Sequence, residues 1–183
     1  SYQVSFQSQP TYFWGLGYEA AMTNERTKYI SNKYQFEVKY LHRMFRNTYA
    51  GVLLNFDYAY SGKRLGKPAY IGDYKSHYSA TGLSLILEYD SRDFIPNPYK
   101  GVYVSVQGMI RPKAFGSAGS TTWTVKAIAD YYQKLWKGGV LALDLYGEFN
   151  SAGTPWTFYA QMGGSQRMRG YYEGRFSDLN VIM

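Results

Sequence analysis

Apolar residues recur at every second position through most of the chain, and helical spacing is nearly absent. A period of two marks a strand with one apolar and one polar face. GLSLILEYD is the clearest case: Leu83, Leu85, Leu87 and Tyr89 share one face, and Ser84, Ile86, Glu88 and Asp90 the other. GVYVSVQGMIR repeats it, with Val102, Val104, Val106 and Ile110 against Tyr103, Ser105, Gln107 and Arg111. The same division predicts strands at 2–8, 12–22, 33–40, 49–60, 121–132 and 140–149. That makes about eight strands, most of about 9–12 residues, the length that crosses a bilayer when tilted. Soluble sandwich strands are nearer 5–6 residues.

Tight turns at 43–48, 94–101 and 135–139 alternate with longer loops at 61–79 and 112–120. Tight turns on one side and long loops on the other is the outer-membrane arrangement, with the tight side facing the periplasm. Aromatics stand at several strand ends, among them Tyr12, Tyr60, Tyr89, Tyr131 and Phe149. Girdles of that kind mark the two surfaces of a bilayer.

Composition agrees with this pattern. Aromatics make up 19% of the chain, with 21 tyrosines, and tyrosine suits boundaries between apolar and aqueous phases. No apolar run approaches the length of a spanning helix, and the opening SYQVSFQSQP has neither the charged start nor the apolar core expected of a secretory leader. Closed barrels need no such run. The net charge of +7 is scattered, so it argues little for any polyanion. Cysteine is absent, which excludes disulfides and thiolate metal sites.

The polar face carries Glu19, Glu37, Lys39, Asp57, Glu88, Lys126, Asp130, Asp144 and Glu148. It would line a hollow in a barrel, or face water in a soluble sandwich with a leucine core. A water-filled pore could use the same wall.

Chemistry-bearing motifs are thin. His77 stands near Asp73, Ser76 and Ser79, and His42 near Arg43 and Arg46. Nearness in sequence is poor evidence for a triad, whose members meet in space. Asp90 and Asp93 beside Arg92 read as an ion-pair cluster rather than a metal site. The chain then ends on GGSQRMRGYYEGRFSD, 163–178, rich in glycine and arginine. It lacks the lysine and following helix of a phosphate loop, and the repetition of a nucleic-acid tail. A plain surface loop, or a loop folded into a hollow, remains.

LEYDSRD (87–93), PNPYKGVYV (96–104) and MGGSQRMRGYYEGRFSD (162–178) occur in that order, with PTYFWGLGYE (10–19) upstream. Together they resemble the bacterial surface antigen family, whose members include BamA- and TamA-type outer-membrane assembly proteins. The resemblance implies an all-β fold: a transmembrane, antiparallel up-and-down barrel of sixteen strands. About eight of these would be present, a partial barrel domain over 1–183 with strands to about residue 149 and a lumen-folded loop over about 150–180. Counting back from that loop gives roughly strands four to eleven, with the remaining strands and the periplasmic domains outside the chain.

By the same resemblance, Arg169, Gly170 and Tyr171 form the motif of the lumen loop. Gly163 and Gly164 would let it double back, and Arg169 would aim its fork at a wall carboxylate. Asp90, Arg92, Asp93, Pro98 and Gly101 would shape a periplasmic turn. The implied role is inserting or translocating polypeptides at the bacterial outer membrane, with no catalytic residues, metal or cofactor. Implied partners are outer-membrane lipid and lipopolysaccharide, client outer-membrane or secreted polypeptides, and periplasmic domains or accessory lipoproteins, but no nucleic acid. Alternatives are a passive pore or anchoring barrel, and a soluble sandwich that binds glycans.

Overall fold

The computed structural model describes residues 1–22, 26–65, 76–164 and 167–183. Seven long strands follow one another: β1 (Tyr2–Phe13), β2 (Thr27–Phe45), β3 (Thr48–Leu65), β4 (His77–Asp90), β5 (Gly101–Arg111), β6 (Thr122–Trp136) and β7 (Gly139–Asn150). A short helix α1 (Tyr18–Met22) lies between β1 and β2. After β7 come β8 (Ala160–Met162), β9 (Phe176–Asp178) and β10 (Asn180–Ile182). The main sheet has eight strands in the order β1-β2-β3-β4-β5-β6-β7-β10, antiparallel and curled as part of a barrel. β8 and β9 pair separately as a two-stranded ribbon. Each strand of the meander pairs with its neighbour in sequence, so tight turns gather at one end and long connections at the other.

The alternation read from the sequence is realised with its burial inverted. Leu85 is 68% exposed, while its neighbours Ser84 and Ile86 are 1% and 4% exposed. On β3, Val52, Leu54 and Phe56 stand outward, while Leu53, Asn55, Asp57 and Ala59 are buried. On β7, Leu141, Leu143 and Leu145 are exposed and Glu148 is buried. In water each such leucine would forgo about 1.5–3 kcal/mol of burial. Against lipid tails that loss disappears, so this outward face fits a bilayer.

The expected strand at 12–22 is not one strand. β1 ends at Phe13, and the chain turns through Gly15 (φ 98°) and Gly17 (φ 84°) into α1. Its alternation of apolar residues is real, but two left-handed glycines break the extended run. Glu19 therefore lies on α1 and not on the sheet. The eighth strand is β10, whose Asn180, Val181 and Ile182 pair with Phe149, Glu148 and Gly147.

Several strands run longer than their sequence patterns suggest. β2 and β3 have 19 and 18 residues. At about 3.4 Å per residue, this hairpin outruns the hydrocarbon layer even when tilted. Its far end, where Ser31 and Ser61 are buried close to Thr157 and Gln161 of the later loop, stands on the long-connection side. Among the described residues no helix is long and apolar enough to cross a membrane, which says nothing against a barrel.

Candidate functional site

The segment after β7 leaves the sheet at Asn150 and returns beside the same residue. The Asn150 amide N–H donates to the carbonyl of Leu179 at 3.0 Å, and its side-chain Nδ2 donates to the same carbonyl at 3.0 Å. Between departure and return the chain lies over the polar face. Pro155 leads into a single 3₁₀ turn, Trp156–Phe158. Trp156 is 4% exposed and packs edge-on against Phe13 (4.9 Å) and Tyr29 (5.7 Å), residues from the far side of the sheet. Leu16 and Tyr78 close around that cluster. Phe158 sits under the Arg111 guanidinium at 5.4 Å. The Gly17 N–H donates to the carbonyl of Ser177 on β9 at 2.9 Å, tying the loop to the turn after β1. The long loop thus bridges β7 to β1 and β2.

Beneath it, charges on the wall are satisfied in pairs. Lys39 meets Glu88 at 2.6 Å. Asp57 accepts from Gln35 at 3.0 Å and from Asn55, and lies 3.7 Å from Arg111. Arg111 donates to Thr124 Oγ1 at 2.8 Å, and Thr124 donates to Asn150 Oδ1 at 2.6 Å. A path of one ion pair and two hydrogen bonds therefore runs from Asp57 on β3 through Arg111 and Thr124 to Asn150, the root of the loop. Lys126 lies 3.6 Å from Glu148, which also accepts from the Tyr146 hydroxyl. The charges named here tolerate this setting because an opposite charge or donor stands beside them, whereas Asp130 Oδ1 is buried with no hydrogen-bond partner.

At the tip, Gly163 and Gly164 carry φ of 96° and 109°. A Cβ on Gly163 would stand 2.5 Å from the Tyr172 carbonyl oxygen, so the bend takes glycine on two counts. The Gly164 N–H donates to the Tyr171 carbonyl at 3.2 Å, and the Tyr171 N–H to the Met168 carbonyl at 3.0 Å. Met168 takes φ 52°. Tyr171 packs against Phe176 at 5.6 Å, and Tyr172 against Tyr12 and Trp14. Arg169 and Gly170 lie on the exposed side of the loop and line an open hollow with Gly164, Tyr171, Tyr172 and Glu173.

Sequence patterning did not single out Arg167. Its Nε donates to Asp144 Oδ1 on β7 at 3.1 Å, and its guanidinium lies 4.6 Å from the Tyr146 ring centroid. The one available signal was its place two residues before Arg169 in a glycine-bounded run.

The other predicted cluster closes at the β4–β5 turn. Arg92 grips Asp90 with Nε at 2.9 Å and Nη2 at 2.7 Å, and stacks over Tyr103 at 4.5 Å. The hydrogen bond to Asp90 holds the Arg92 guanidinium above its ordinary value. Asp93 Oδ1 accepts N–H groups from Phe94 (3.0 Å), Tyr99 (3.0 Å) and Lys100 (3.3 Å). Slight desolvation works upward on this carboxyl, but those donors outweigh it and hold it below the ordinary carboxylate value. Gly101 takes φ 118°, and a Cβ there would lie 2.6 Å from the Ser91 carbonyl oxygen. Pro98 is half-buried within the turn.

The two acids hold different partners and do not converge as ligands. Among the described residues no group of three or more His, Asp or Glu gathers as a metal site. His42 and His77 are exposed, and Asp73 lies outside the described residues.

A family model, the Omp85 superfamily domain, matches residues 1–180. No curated protein and no solved structure matches the chain.

Proposed function

The chain belongs to the Omp85 superfamily of outer-membrane β-barrel proteins, and from that premise we propose that it serves in inserting or translocating polypeptides at the outer membrane. The proposed work is non-covalent. Strand exposure supplies backbone donors and acceptors to an incoming chain, which pairs by β-augmentation. Clients are outer-membrane or secreted polypeptides, and residues 150–180 act as a loop held inside the barrel. In this reading Arg169, Gly170 and Tyr171 present the loop's working surface, Gly163 and Gly164 make its bend, and Arg167 tethers it to the wall.

The observation that carries the reading is the loop's anchorage. Trp156 sits at the far side of the polar wall, against Phe13 and Tyr29. A passive pore would leave its wall open at this end, whereas here the returning loop seats Trp156 in an apolar cluster with Phe13 and Tyr29 and lays Phe158 beside Arg111 on the wall.

The test is full-length protein reconstituted in vesicles, with folding of an added outer-membrane client followed by protease protection. Acceleration over empty vesicles is expected, and Arg169→Ala should reduce it while the barrel still forms. Client folding at the same rate with and without the protein would refute the assignment. Steady conductance in planar bilayers without such acceleration would favour the pore.

A further inference from the structure

Two hairpin tips at the tight-turn end repeat one pattern. Arg43-Met44-Phe45-Arg46 closes β2 onto β3, and Lys134-Leu135-Trp136-Lys137 closes β6 onto β7. Each reads basic, apolar, aromatic, basic. Each also carries a register slip at the same point. Arg43 pairs with Tyr49 and Phe45 with Thr48, leaving Met44 without an opposite residue. Lys134 pairs with Val140 and Trp136 with Gly139, leaving Leu135 in the same position. Such bulges bend and twist a strand locally and re-aim its side chains.

The apolar members are bare: Phe45 is 72% exposed, Trp136 66%, Met44 55% and Leu135 53%. Between these hairpins lies the β4–β5 turn, where Phe94 and Ile95 are also exposed and Lys100 adds a cation. Strand spacing of about 4.8 Å places the two hairpin tips roughly 20 Å apart along the rim, with this turn midway.

The charge of the rim is lopsided. Arg43, Arg46, Arg92, Lys100, Lys134 and Lys137 outnumber four acids: Asp90 and Asp93 at the turn, and Asp130 and Asp144 at the level of Asp90 on the inner face. Arg92 occupies Asp90, and backbone N–H groups occupy Asp93. Arg43 folds over the Arg46 carbonyl, and Lys134 lies 5.8 Å from the centre of the Tyr99 ring. Just inside the tips, on the outward face, stand the exposed tyrosines Tyr40, Tyr89 and Tyr131, a row that suits the edge of a bilayer.

We propose that this rim is a lipid-binding surface: the bulged basic–apolar–aromatic–basic tips hold anionic phospholipid headgroups of the periplasm-facing leaflet between their paired cations. The apolar pair of each tip enters the boundary of the acyl region, and the flanking cations meet the phosphates. A lipid fits better than a protein partner because the apolar residues sit on separate tips, each bracketed by cations, in line with the tyrosine row. The inference rests on the barrel reading above and adds the ligand of one rim.

The experiment uses full-length protein in vesicles of phosphatidylcholine mixed with phosphatidylglycerol, with the lipid retained after extraction quantified. Wild type should retain phosphatidylglycerol about fivefold or more above its bulk share, the weight of even one interfacial cation. Raised salt should lower that enrichment. Arg46→Ser/Lys134→Ser/Lys137→Ser, which spares the turn-capping Arg43, should cut it severalfold while insertion into pure phosphatidylcholine continues. Should the triple variant fail to insert, Lys137→Glu alone should still lower the enrichment. Enrichment unchanged in these variants overturns the rim assignment and leaves the barrel reading intact. Occupation of the rim by a soluble periplasmic domain in place of lipid overturns it too. Failure of wild type to enter either vesicle overturns the barrel reading and this one with it.

Discussion

The β4–β5 turn and the loop after β7 solve one problem by opposite means. Both must satisfy polar backbone and charged side chains away from the regular ladder. The turn does so within a dozen residues: Arg92 takes Asp90, and Asp93 collects N–H groups from Phe94, Tyr99 and Lys100. The loop does so with residues far away in the chain: Trp156 with Phe13 and Tyr29, Ser177 with Gly17, Arg167 with Asp144. The turn is a device complete in itself. The loop is a bracket whose strength depends on the whole sheet being present.

The largest expected effect comes from removing the bracket's anchor. Trp156→Ala deletes a buried indole and should cost about 3–5 kcal/mol in docking the loop. Limited proteolysis of the folded barrel should then cut within 150–180, where wild type resists. A loop equally resistant in the variant would break the contrast, since it would mean that local structure suffices there as well.

Next come the two glycines, one in each region. Gly163→Ala and Gly101→Ala each place a Cβ at positive φ against a carbonyl oxygen, at 2.5 Å and 2.6 Å. Each should cost about 1–3 kcal/mol. The first should loosen the loop in the same protease assay. The second should shift amide resonances around Ser91 and Val102 while leaving the loop protected. Cross-talk between the two sites would show that they are not independent.

Smaller still is the Arg167–Asp144 pair, whose side chains are 25% and 49% exposed. A double-mutant cycle with alanine at both positions should give a coupling of about 0.5 kcal/mol.

The mildest probe is pH. The Asp93 carboxyl is held below its ordinary value, so its contribution is complete above the unfolded pKa of about 3.9. It is lost as pH falls through the still lower folded value. The amide resonances of Tyr99 and Lys100 should move together in that acid range, and Asp93→Asn should abolish the joint movement.

The same contrast explains what was legible in the sequence. Strand faces follow from a period of two, so Leu83, Leu85 and Leu87 outward and Ser84 and Glu88 inward could be read directly. The turn was legible because its donors and acceptors lie within a few residues of each other. The run 12–22 misled because its alternation persists across Gly15 and Gly17, and what fixes that bend includes Ser177, far along the chain. β10 is three residues long and shows no period. Within the arginine-rich loop the motif drew the eye to Arg169. The reach of Arg167 to Asp144 depends on how the Gly163–Gly164 bend and Met168 set the tip, which residue types alone do not encode.

Asn150 has one further consequence, for the order in which the sheet forms. Every earlier hairpin can zip from its own turn, with little chain entropy spent before the first pairs form. β10 cannot join β7 in that way, since the whole excursion from Ser151 to Leu179 must first close on Asn150. Strand addition should therefore pause at this point, and seating of Trp156 should set the pace at which the wall grows past its seventh long strand.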